Sequence, residues 1–290
     1  MSQTTPQHPD FDRLFRRYAR EQLGTTKLPE AGLYPVLQDP ASAPWLDELE
    51  DLYARWNQAV LPTYGQPGVF FAHLTPQELV AALVFYVGQR WAVPLTLLDT
   101  LADNAEAGEA LEWLLNRDWD SLPHRLVLLA LELLLEHNRV PVACCVAYLH
   151  GQVVENALSA QLVAALIYAG ADALPAIEEA LDDACAPYGR LCLLEALCEI
   201  GLESGSTAPI SARLEEAFFL SESAERQEIA RMMAKLGEDS LLPVLREAMT
   251  QAADAQEYYA LKDAAEVLGY FTDIDPEAFT DEPDDGGADL

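Results

Sequence analysis

Five prolines, Pro141, Pro175, Pro209, Pro243 and Pro276, follow one another at intervals of 34, 34, 34 and 33 residues. Self-similarity at such a period marks a chain of small units that bury their apolar faces only against neighbouring units. A second series runs ahead of it: Gly88, Gly170, Gly201, Gly237 and Gly269. Eight, five, four and one residues before these glycines, all twenty positions are apolar, from Val80, Leu83, Val84 and Val87 to Leu261, Ala264, Ala265 and Leu268. Those spacings place the four positions on one stripe of an α-helix. The glycine then ends the helix, where a left-handed residue is needed. The proline opens the next helix, in a first turn whose N–H has no partner to lose.

The pattern predicts helix pairs. Residues 174–184 are followed by 188–200, 210–220 by 225–236, and 241–252 by 257–268. Further helices are predicted over 45–60, 109–119 and 122–137, and residues 24–44, rich in Pro and Gly, read as a loop. No sustained period-2 alternation suggests strands.

The segments Leu166–Leu181 and Met233–Met249 resemble HEAT repeats, in particular the short HEAT-like units also found in phycobilisome bilin lyases. Leu174–Pro175 and Leu242–Pro243 match the start of that motif's first helix, and Arg190 and Arg226 stand where its second helix often carries an arginine. The resemblance covers residues 140–271, with one further unit near 75–101. It implies an all-α, armadillo-type fold: a right-handed α-solenoid of stacked helix pairs. The expected organisation is an irregular helical N-terminal cap over 1–74, the solenoid over 75–271 and an acidic flexible tail over 272–290. A 34-residue interval also suits tetratricopeptide repeats, but their Trp, Leu-Gly, Tyr and Ala pattern is not reproduced.

Charge narrows the partners. The 290 residues carry 17 Lys and Arg against 48 Asp and Glu, a formal charge of −31. Such a surface repels phosphate backbones and anionic lipid, so neither nucleic acid nor a membrane is an expected partner. Half the residues are hydrophobic (51%), which separates the chain from disordered acidic sequences. Residues 273–290 hold eight acids and no base. Only three lysines occur, so adaptation of a whole proteome to salt or to a GC-rich genome also accounts for the number. Four arginines, Arg13, Arg16, Arg17 and Arg20, fall along one side of a predicted helix, read as a solvated or internally paired face. A polar N-terminus without an apolar stretch and interrupted apolar runs lead to the expectation of a cytoplasmic protein without a membrane span.

No catalytic signature emerges. Cys144, Cys145, Cys185, Cys192 and Cys198 form no CxxC pair and read as reduced, packed thiols. His124, His137 and His150 are spaced off one helical face, so no metal or cofactor is expected. Gly201–Thr207 lacks the lysine of a phosphate loop. The acid pairs Glu178/Asp182 and Glu179/Asp183 ride the polar side of an amphipathic helix.

The remaining candidate is the polar side of the second helices, which in HEAT-like solenoids lines the concave face. Nine, six and two residues before each glycine, it carries an acidic strip with a tyrosine. Tyr168, Glu195, Glu199, Glu228 and Asp263 are the expected partner-binding residues. The expected function is a non-enzymatic module that binds a basic protein, in one version as an inhibitor or immunity protein masking a cationic toxin. Two alternatives stand beside it. One is a chromophore-lyase-like or other modifying enzyme using Cys144, Cys145 or Cys192. The other is a general assembly scaffold whose charge reflects salt adaptation.

Overall fold

A computed structural model describes residues 8–23 and 46–270 of the chain. The predicted loop over 24–44, Pro276 and the acidic segment over 272–290 lie outside the described residues. The fold is all-α: among the described residues the only β feature is an isolated bridge between Leu61 and Gly65. The chain divides into two compact units, Met1–Cys144 and Cys145–Leu290.

The first unit contains α1 (Phe11–Leu23), α2 (Leu46–Gln58), α3 (Pro76–Gly88), α4 (Leu95–Asp103), α5 (Ala105–Asp118) and α6 (His124–Glu136). Helices α3 to α6 pack on one another, and α1 packs on α2. On α1, Phe11, Phe15 and Ala19 recur every fourth residue and are buried. Phe11 meets Phe70 and Phe71 edge-on, and the Tyr86 hydroxyl donates to the Pro9 carbonyl at 2.6 Å. Helix α3 begins with a capping box: Thr75 Oγ1 accepts from the Glu78 N–H, and the Glu78 carboxylate accepts from the Thr75 N–H.

Helix α7 (Val142–His150) contains the division between the units. The second unit continues with α8 (Ala157–Ala169), α9 (Leu174–Asp182), α10 (Pro187–Ser204), α11 (Ala208–Leu220), α12 (Ser223–Leu236), α13 (Leu242–Met249) and α14 (Ala255–Val267). The predicted boundaries differ from these by a few residues at most. Pro175, Pro209 and Pro243 each occupy the first turn of a helix, as the interval implied. Of the twenty stripe positions sixteen are buried and four half-buried, so the stripe is the core.

Two of the five helix-ending glycines do something else. Gly170, Gly237 and Gly269 have positive φ as expected, but Gly88 does not; Arg90 takes the left-handed conformation after α3. Gly201 lies buried inside α10, which runs on to Ser204 and ends at Gly205, φ +69°. An added Cβ at Gly201 would stand 1.9 Å from Cδ1 of Ile210. This glycine therefore lets α11 approach α10 rather than ending a helix.

By length and composition the run Ala157–Asp182 is apolar enough to cross a membrane. It is broken at Gly170, however, and Leu158, Leu162, Leu166 and Ile177 are buried within the fold.

Candidate partner-binding face

In the second unit α8 contacts α10, α10 contacts α12 and α12 contacts α14. The other helices pack against these: α9 on α10, α11 on α10 and α12, and α13 on α14. Ion pairs join α10 to α12 and α12 to α14. Arg190 on α10 reaches both carboxylate oxygens of Glu225 on α12 at 2.8 Å. Arg226 on α12 reaches Glu257 on α14 at 2.6 Å. Arg190 and Arg226 thus tie α10 to α12 and α12 to α14.

The row leaves one polar side open. Glu195 is exposed on α10, one turn from Glu199. Lys235 of α12 donates to the Glu199 carboxylate, and Arg231 donates to Glu228 one turn away on its own helix. Partial burial, then the charge of Glu199, raise the Glu195 carboxyl above the ordinary carboxylate range; Glu228 adds to this and Lys235 opposes it. The salt link to Glu199 in turn holds the Lys235 ammonium above its ordinary range.

Beside these groups a groove of about 610 Å³ runs between α12 and α14. Gln227, Arg231, Lys235, Gln256, Tyr259 and Asp263 line it, with Ala234 and Ala260 between them. The Gln256 amide donates to the Gln227 side-chain carbonyl at 3.4 Å across it. Val267, 70% exposed, sits at its end.

Of the five expected residues, Glu195, Glu199 and Glu228 come together with Lys235 between them, and Asp263 lines the adjoining groove. Tyr168 is exposed on α8, outside that groove. The strip is mixed in sign rather than uniformly acidic, because Arg231 and Lys235 pair with two of its four carboxylates. Cys192, aligned with this polar face, is instead buried and close enough to the Tyr188 hydroxyl to hydrogen-bond with it. Sequence reasoning did not single out Gln227 and Tyr259. Both stand ten residues before their glycine, one position outside the register that was followed.

All five cysteines are free; four are buried and Cys185 is half-buried. Burial pushes the thiols of Cys144, Cys185 and Cys198 up to about 11. No group of three or more His, Cys, Asp or Glu side chains suited to a metal ion occurs among the described residues. His137 is engaged with the Leu101 carbonyl at 3.0 Å.

No protein-family model matches the chain, and no curated protein or solved structure is significantly similar to it.

Proposed function

We propose that the chain is a HEAT-like, right-handed solenoid of stacked helix pairs that binds a basic protein on the open side of α10, α12 and α14. The observation that carries this reading is the gathering of Glu195, Glu199 and Glu228 from two neighbouring helices. Their repulsion is only partly relieved by Lys235 and Arg231. A cationic partner would supply the missing charge. Exposed Tyr259 and Val267 would give it apolar contact in the same groove. An inhibitor that masks a cationic toxin is the concrete version we favour. The weakly acidic thiols favour binding over a thiol mechanism, since such sulfurs carry little thiolate near neutral pH.

The test is capture from the protein's own source, followed by identification of the bound proteins. A basic partner retained at about 50 mM salt and released by about 500 mM supports the reading, because screening shortens to a few ångströms over that range. Loss of that partner from Glu195→Gln/Glu228→Gln would locate it on this face. Retention of the same proteins at both salt levels and by the double variant would defeat the proposal.

A further inference from the structure

Among the described residues, four arginines gather on α1, in the first unit. Arg13, Arg16, Arg17 and Arg20 follow the spacing i, i+3, i+4 and i+7, opposite the buried Phe11, Phe15 and Ala19. Arg17 is engaged by Glu21 at 3.1 Å, an exposed pair worth little. No ion pair joins Arg13 or Arg20 to another described residue, and both are exposed.

These arginines do not stand on a flat surface. They line a groove of about 550 Å³ together with Asp10, Glu21 and Tyr64. At Arg17 and Tyr64 it joins a second cleft of about 420 Å³ lined by Tyr18, Trp56, Leu61 and Pro62. Trp56 is 1% exposed, and its indole N–H is buried without an acceptor. A buried donor left unpaired is costly, so the presence of Trp56 in the lining of this cleft points to an acceptor brought from outside. The tryptophan and the arginines offer only donors; the two carboxylates in the lining are already engaged, Glu21 by Arg17 and Asp10 by the Arg13 N–H, and Leu14, Tyr18 and Pro62 supply apolar and aromatic wall.

We infer that this cleft is a docking site for a carboxylate-rich peptide segment of a partner protein. Its carboxylates meet Arg13, Arg17 and Arg20. An apolar side chain enters beside Tyr18 and Pro62, and an acceptor reaches the Trp56 N–H. Charge complementarity selects the ligand class, and the chain's net charge of −31 decides between polyanions. Nucleic acid carries a charge at every nucleotide and is repelled along its whole length, whereas a peptide concentrates its carboxylates where the arginines are. The inference is independent of the acidic face on the second unit.

The experiment uses the full chain and a fluorescein-labelled peptide that carries a short cluster of glutamates around one central leucine between uncharged Gly-Ser flanks, read by anisotropy at low salt. Saturable binding is expected. Arg13→Gln/Arg20→Gln, both exposed, should weaken it at least about tenfold with an unchanged helical circular dichroism spectrum. Trp56→Phe keeps a ring in place and removes the N–H; a weakening of about fivefold is expected. Glu195→Gln/Glu228→Gln should leave the affinity as it was, which separates this site from the other face. Absence of peptide binding would overturn the inference, as would equal binding by the arginine variant. Tighter binding of a length-matched oligothymidylate through the same arginines would overturn it in favour of nucleic acid.

Discussion

Arg226 crosses from α12 to a Glu257 carboxylate that is 1% exposed on α14, at 2.6 Å. The other oxygen of Glu257 accepts from the Ala253 N–H at 2.8 Å, and its own N–H donates to Asp254 at the start of the helix. One group thus fixes the first turn of α14 and binds the preceding helix of the row. Arg226→Ala should destabilise the protein by about 3 kcal/mol or more, because it leaves a buried carboxylate without its cation. Arg226→Met/Glu257→Leu should recover most of that loss, since it removes both charges together. Urea unfolding of the three proteins checks both statements.

Gly189 and Gly201 should differ in their response to alanine. A Cβ on Gly189 would stand 2.0 Å from the carbonyl oxygen of Leu149, which is backbone and cannot rotate away. That carbonyl ends α7, where the Gly189 N–H donates to Gln152 and the Ala186 N–H to His150. Gly189→Ala should therefore cost about 3 kcal/mol or more. Gly201→Ala should cost about 1–2 kcal/mol, because Cδ1 of Ile210 can turn aside. Adding Ile210→Val to Gly201→Ala should reduce the cost, as thermal unfolding would show.

The Glu195 carboxyl binds its proton more tightly in the folded chain than in the unfolded one. Its contribution to stability is therefore complete below the unfolded value, about 4.3, and is lost as pH rises through the raised folded value. Glu195→Gln should be more stable than the parent near neutral pH. The difference should close as pH falls toward 4. Denaturant midpoints across that interval test the sign.

Thiol labelling should follow burial. Half-buried Cys185 should react with iodoacetamide before Cys144, Cys145, Cys192 and Cys198 in the folded protein. Cys144, Cys185 and Cys198 should be slow near neutral pH, given thiols raised to about 11, and all five should react rapidly in denaturant. Peptide mapping by mass spectrometry would reveal any other order.

The helices of the second unit were legible because each carries two signals that agree, an apolar stripe at helical spacing and a proline or glycine near a terminus. Glycine alone was ambiguous. Gly201 and Gly237 share a register, yet one is buried at a helix crossing and the other ends a helix with φ +73°. Only the neighbour decides, and Ile210 is not visible from the periodicity. The acidic strip was legible as a list of exposed positions. Its pairing was not, because Lys235 meets Glu199 across two helices whose offset the sequence does not state. The arginine stripe of α1 was likewise visible, but its cleft was not, since Tyr64 and Trp56 come from other parts of the chain.

Twelve and eleven residues before Gly201, Gly237 and Gly269 stand Gly189–Arg190, Glu225–Arg226 and Glu257–Tyr258. The middle dipeptide both accepts an arginine and offers one. The first only offers, and the bare glycine in its acceptor place admits the carbonyl of α7 instead. The last only accepts, with a tyrosine where the next arginine would stand. The row therefore has polarity and two distinct termini. A duplicated middle helix could be spliced between its neighbours with every charge matched, whereas a copy added beyond α14 would meet no arginine. The number of linked helices is thereby set by three pairs of residues.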